Sequence, residues 1–349
     1  AEWIEQVSSE LHYNDKNLIE KVIRALSLLE MLVKAGCPLV FKGGTALMLI
    51  LGKSAHRLSI DIDLICPPGT NIEDYLKSFA DFGFINLELV ERKQRDDADI
   101  PKSHSKFFYQ IAYRNDTDAQ SYILLDVLYE DIHYFRTQQI AINCPFIRLE
   151  GKPLMVTVPS AEDILGDKLT AFAPNTTGIP YYKNGRSCSM EIAKQLYDVG
   201  RLFENVSDLQ ITKEAFRKIA VVELSYRSFG TDIGQVFNDI RQTALCISTR
   251  GKAGEGDFDL IQDGIIRVKS FMYKQRYLID HAIIDAARAA YLATLIEKGI
   301  NEIESYSNNP ADIKDMVIRP SLPNKLNKLR SNLPEAYYYW AKTSELLEA

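Results

Sequence analysis

Cysteine is sparse and unpatterned in this chain. Cys37, Cys66, Cys144, Cys188 and Cys246 are spread over 349 residues, with no Cys-x-x-Cys and no Cys/His spacing of a zinc site. An odd, scattered set excludes a disulfide framework and leads us to expect a reduced, cytoplasmic setting. No apolar run approaches the ~20 residues a membrane-spanning helix requires, so no membrane partner is expected. The opening Ala1-Glu2-Trp3-Ile4-Glu5 carries no basic-then-apolar targeting signal. Basic charge is short as well: Lys+Arg total 41 against 47 Asp+Glu, a net charge of −6. That excludes a wholesale basic nucleic-acid surface and leaves room for a local patch. The histidines His12, His56, His104, His133 and His281 form no ligand pattern, and surface or satisfied polar positions are expected for them. The glycine-rich stretch 249–257 matches neither a P-loop nor a dinucleotide fingerprint and is read as a connector.

What is present is ordinary globular composition, 46% hydrophobic and 25% charged, in a chain long enough for two cores. The first half mixes helix and strand. Ile19, Val22, Ile23, Leu26, Leu29, Leu32 and Val33 recur at helical spacing within a helical region 1–36, which ends at Gly36. Strands are expected at 38–41, 57–65, 84–91, 106–114, 121–129 and 154–158, with helices at 45–51 and 71–82. Asp96, Asp97 and Asp99 are expected in a polar, solvated loop. From about 159 the chain turns helical, starting at 160–173 with a Ser-x-x-Asp helix start. A loop follows at 174–187, then helices at 188–204, 212–228, 231–248, 258–275 and 278–299. The run Tyr337-Tyr338-Tyr339-Trp340 is read as helix packing rather than base stacking. Lys325, Lys328 and Arg330 beside it are weak evidence for an RNA backbone contact.

The chain is organised around 40–66, VFKGGTALMLILGKSAHRLSIDIDLIC. Gly43 and Gly44 allow a backbone to approach a ligand without Cβ obstruction. The helix after them would present its first N–H groups to that gap, a natural phosphate position. Within 57–65 the alternation sends Leu58, Ile60, Ile62 and Leu64 to one face and Arg57, Ser59, Asp61 and Asp63 to the other. Two carboxylates about 6–7 Å apart on one strand face repel by about 2–3 kcal/mol at an effective dielectric of ~20. A divalent cation reverses that sign; a half-buried strand with a wet face is the alternative. Asp126 stands in the middle of the apolar strand 122–129. A buried unpaired carboxylate there would be costly, so Asp126 calls for a metal, a basic partner or partial exposure.

Lys42-Gly43-Gly44-Thr45-Ala46 followed by Arg57-x-Ser59-x-Asp61-x-Asp63-Leu64 resembles the AbiEii/AbiGii (MenT-like) nucleotidyltransferase toxin family of the DNA polymerase β-like superfamily. The resemblance implies an α+β (α/β) fold: a mixed sheet with flanking helices, plus a mainly helical C-terminal domain. With the boundary near 159, the expected domains are 1–158 and 159–349, the latter completing the active-site cleft. The resemblance further implies an enzyme, a nucleotidyltransferase, with Asp61, Asp63 and Asp126 as metal ligands for Mg²⁺ or Mn²⁺. Lys42, Gly43, Gly44, Thr45, Arg57, Ser59 and Lys168 would line the nucleotide, an NTP. Arg57 is equally a simple counter-charge to the aspartates. Asp167-Lys168-Leu169 and Lys194-x-x-Tyr197-Asp198-Val199 resemble later family motifs, with Gln195 where an acidic residue often stands. Lys168 would meet triphosphate charge, and Asp198 would orient Lys168 or act as base. For Lys194 and Asp198 the alternative is a plain i,i+4 helix pair.

The implied biology is a bacterial toxin of a type IV toxin–antitoxin or abortive-infection system, with an antitoxin protein as partner and a hydroxyl acceptor such as a tRNA end or a protein. Two rivals share the residues: a small-molecule (antibiotic-type) nucleotidyltransferase, and an inactive nucleotide-binding module. The resemblance covers 38–65 strongly, 120–200 moderately and 205–349 hardly at all.

Overall fold

Our computed structural model describes residues 1–89, 102–112, 119–206, 208–227 and 232–349. The expected polar loop of Asp96, Asp97 and Asp99 lies outside them. The chain divides into two units: Ala1–Ser160 with Ser270–Arg276, and Ala161–Lys269 with Tyr277–Ala349.

The first unit opens with α1 (Glu2–Glu10) and α2 (Lys16–Lys34), where sequence reasoning expected one helical region. Asp15 begins α2, its carboxylate accepting from Leu18 N at 3.0 Å. Leu18, Ile19, Val22, Leu26 and Leu29 form its buried stripe. Then come β1 (Val40–Lys42), α3 (Gly43–Leu51), β2 (Ile62–Cys66), β3 (Asn86–Leu89), β4 (Lys102–Gln110), β5 (Gln120–Tyr129), β6 (Thr137–Ala141) and β7 (Met155–Pro159). The main sheet has the order β1-β2-β5-β4-β3, and β6 pairs with β7 apart from it. β2 and β5 run parallel; the other pairs are antiparallel. Ile62, Leu64, Phe107, Tyr109, Ile123, Leu125 and Val127 fill one face and share a core with α2. The opposite side chains of β5, among them Asp126, are only partly covered.

Several expectations shift. The strand expected from 57 begins at Ile62. Residues 56–58 are instead held by the excursion 270–276: Leu58 N donates to Phe271 O at 2.8 Å and Tyr273 N to His56 O at 3.1 Å. Arg57 forms an isolated bridge with Met272. The helix expected over 258–275 therefore stops at Val268, because Phe271 and Tyr273 are needed in the first unit's core. Tyr273 packs edge-on against Phe146 at 5.0 Å, and its hydroxyl donates to Ala55 O. The helix expected over 71–82 is two 3₁₀ turns, Ile72–Tyr75 and Phe79–Phe82. These turns are closed by backbone bonds such as Asp74 N to Asn71 O at 3.3 Å and Asp81 N to Ser78 O at 3.0 Å.

The second unit contains α4 (Ala161–Ala171), the small hairpin β8 (Tyr182–Lys183) and β9 (Arg186–Ser187), α5 (Ser189–Phe203), α6 (Leu209–Tyr226), α7 (Ile233–Ser248) and α8 (Phe258–Val268). It ends with α9 (Ile279–Lys298), α10 (Leu329–Asn332) and α11 (Pro334–Glu348). Alanines on α9 let α5, α7 and α11 approach it closely, so it is buried on most sides. Tyr337, Tyr339 and Trp340 of α11 are buried, as the packing reading expected. A charged network sits inside this unit. Asp285 of α9, fully buried, meets Arg201 and Arg288, each at 3.3 Å. Arg288 also pairs with Glu204 at 2.8 Å and Glu335 at 2.5 Å. Burial pushes the Asp285 carboxyl above its ordinary range, and the two arginines pull it back down. No helix among the described residues is long and apolar enough to cross a membrane.

Candidate active site

The glycines are not a turn ahead of a helix; they are its first turn. α3 begins at Gly43 with Lys42 as its cap residue. Gly43 adopts φ +77°, and a Cβ there would stand 2.1 Å from Asp63 Oδ2. At Gly44 a Cβ would stand 2.7 Å from Ser59 Oγ and 3.0 Å from an Arg57 nitrogen. The two glycines are thus required by the polar residues expected beside them. Replacing Gly43 by alanine adds both the left-handed backbone penalty, about 1–2 kcal/mol, and a collision with the Asp63 carboxylate. Transfer activity should fall by roughly ten- to a hundredfold with little change in the unfolding midpoint of the second unit; wild-type activity in G43A would contradict the close approach.

Register explains why Asp63 and Asp126 belong together. Lys42 lies opposite Asp63 on β1 and β2, Asp63 opposite Asp126 on β2 and β5, and Asp126 opposite His104 on β5 and β4. Four chemistry-bearing residues therefore stand abreast across four strands, in the order Lys42, Asp63, Asp126, His104. Neighbours in such a row are about 4.8 Å apart, so the two carboxylates repel by about 3 kcal/mol at an effective dielectric of ~20. The row brackets them with a lysine and an imidazole. His104 Nδ1 lies 2.5 Å from Asp126 Oδ1; the Asp126 side chain is 39% exposed and that of His104 10%. Asp126 is thus both partly exposed and paired with a basic group, as the alternative reading of this residue had it, and it faces Asp63 as the metal reading requires.

Two expectations are corrected. Thr45 is fully buried and its hydroxyl donates to Asp61 O at 2.7 Å, so it pins the Asp61 backbone instead of reaching toward a nucleotide. Arg57, expected on a wet face, is 6% exposed, and its Nη1 donates to Leu58 O at 3.0 Å. Among the described residues no three His, Cys, Asp or Glu side chains form a ready metal cage; Asp61 precedes the strand with its carbonyl tied to Thr45. The residues nevertheless fit a magnesium site. Mg²⁺ keeps several waters and takes one or two carboxylates plus substrate phosphates, and the pair abreast beside a Cβ-free backbone offers that donor set.

Lys168 and Asp198 belong to the second unit, on α4 and α5. Their charged atoms are 3.1 Å apart, with side chains 8% and 2% exposed. Lys168 also donates to Gln195 Oε1 at 3.0 Å. Gln195, which departs from the family pattern, thereby becomes a functional candidate that sequence reasoning had noted only as a departure. His104 is the second residue missed. Its signal was alternation in β4, where Ser105, Phe107 and Tyr109 are buried and His104 takes the opposite face.

A family model described as the nucleotidyl transferase AbiEii toxin of type IV toxin–antitoxin systems matches residues 26–312. The chain belongs to that family. It is a nucleotidyltransferase, and AbiEii membership extends across much of the helical half, where the motifs alone gave almost no sign of it. No curated relative matches. Solved structures with loose overall likeness include JHP933 from Helicobacter pylori, 17% identical, covering 82% of this chain and 92% of that one at a TM-score of 0.39. Another is the nucleotidyltransferase toxin MenT4 from Mycobacterium tuberculosis H37Rv, 15% identical, covering 84% and 89% at 0.44.

Proposed function

We propose that this AbiEii-family enzyme transfers a nucleoside monophosphate from an NTP to a hydroxyl acceptor with Mg²⁺, releasing pyrophosphate. The observation that carries this reading is the close approach of Asp63 to Gly43: the carboxylate lies directly against the Cβ-free first turn of α3 and stands abreast of a second carboxylate. Phosphoryl transfer is mostly positioning and charge neutralisation. In this reading the N–H groups at the start of α3 bind the triphosphate, and Lys42 and Arg57 balance charge around it. Asp63 and Asp126 would hold the cation, with Asp61 as a further ligand. The cation, when bound, neutralises the phosphates and favours attack by the acceptor oxygen. Thr45 keeps the aspartate segment in place, and Ser59 stands against Gly44. Lys168 and Asp198 enter on their sequence motif, as a triphosphate contact and its orienting partner or base.

The acceptor proposed is a tRNA end, with a protein hydroxyl as second choice, in a toxin restrained by its own antitoxin protein. An acceptor of small-molecule type uses the same carboxylates, so experiment must separate them. Incubation with Mg²⁺ and each α-labelled NTP, with and without total tRNA, should place label on tRNA and identify the nucleotide. The D61A/D63A double variant should leave the tRNA unlabelled. Label on the protein itself would move the acceptor to protein, and label on aminoglycosides alone would favour the small-molecule reading. No transfer with any NTP, tRNA, protein or small alcohol would sink the proposal.

A further inference from the structure

Asp126 has an imidazole against it. His104 is mostly covered, and its Nδ1 lies 2.5 Å from Asp126 Oδ1. The two residues face each other in register on neighbouring antiparallel strands, so the backbone fixes both ends of the contact. An ionised carboxylate only accepts hydrogen bonds, so the contact requires the proton on Nδ1 and leaves the carboxylate its second oxygen. A carboxylate free to rotate offers either oxygen in many orientations; one tied at Oδ1 offers Oδ2 in few.

We propose that His104 is a positioning residue for the cation site: by holding Oδ1 of Asp126 it fixes Oδ2 as the ligand atom beside Asp63. The inference rests on the metal reading of Asp126 given above. It asks nothing of His104 beyond donation from one fixed nitrogen, so an amide nitrogen at the same distance from the backbone can replace it. Asparagine supplies that nitrogen, because its Nδ2 stands where the histidine Nδ1 does. Leucine supplies similar bulk and no donor. Partners that orient metal ligands typically contribute 10- to 100-fold in affinity.

The test titrates Mn²⁺ alone, without nucleotide, into wild type, H104L, H104N and D126N. Free ion is followed by its electron paramagnetic resonance signal, and unfolding midpoints are measured in parallel. Expected is a loss of about 10- to 100-fold in Mn²⁺ affinity in H104L, recovery to within about threefold of wild type in H104N, and a loss in D126N at least as large as in H104L. If D126N binds Mn²⁺ like wild type, the metal reading of Asp126 is wrong and this inference goes with it. If D126N is weakened but H104L binds like wild type, the metal reading stands and His104 has no positioning role. If H104L and H104N lose affinity equally with unchanged midpoints, the hydrogen bond is not what matters, which also overturns the proposal.

Discussion

Asp63→Asn is expected to lower nucleotidyl transfer by about a thousandfold or more, since one charged cation ligand contributes several kcal/mol to the transition state, while the fold stays intact. Asparagine keeps the shape of the side chain against Gly43 and its place between Lys42 and Asp126. It removes one of two like charges standing abreast. The unfolding midpoint of the substrate-free protein should therefore hold or rise, because the variant relieves the repulsion between the two proposed cation ligands. Label transfer and calorimetry on the same preparation check both halves. Activity above about a tenth of wild type would remove Asp63 from the cation site. A large fall in midpoint would mean that Asp63 is mainly a structural partner of its row.

The second large effect belongs to the helical unit. Asp285→Ala should cost about 3–5 kcal/mol of stability, because removing one partner from a buried ionic network leaves the others uncompensated. Asp285 is the acid that Arg201 and Arg288 share. Gly200 is shaped around it, since a Cβ there would stand 2.0 Å from Asp285 Oδ1. Asp285→Asn keeps the volume and resembles the neutral acid that burial favours, so it should lose clearly less stability than Asp285→Ala. The sign with pH follows from the raised carboxyl. A group whose folded value lies above its unfolded one favours the folded state below the unfolded value, and that contribution fades as pH rises through the folded value. The gap between wild type and Asp285→Asn should therefore narrow at neutral pH relative to acid conditions. Chemical denaturation at two pH values measures it, and a loss below about 1 kcal/mol in Asp285→Ala at both would show that the arginines are balanced by Glu204 and Glu335 without Asp285.

What could be read from sequence was whatever is local. Gly43 and Gly44 and the aspartates two apart each follow from backbone freedom or alternation over a few residues. Asp126 stood out because an acid inside an apolar strand demands an account. What could not be read depends on register or on contacts distant along the chain. His104 meets Asp126 only because β4 and β5 pair with one particular offset, and neither strand announces that offset. Gln195 meets Lys168 across two helices. Thr45 looked like a ligand because it follows the glycines, yet α3 begins earlier than expected and turns its hydroxyl onto Asp61. The 258–275 pattern is helical by spacing, and only the needs of another core end the helix early.

That early ending bears on synthesis. The segment leading to the aspartates is held at 56–58 by residues near 271–273, and Tyr13 donates to Ser270 O as well. Ribosomes release the chain in order, so the glycines and aspartates emerge long before the strap that fixes them. The proposed carboxylates of a nascent chain therefore precede the strap, and the backbone bonds at 56–58 can form only once residues 271–273 have been made.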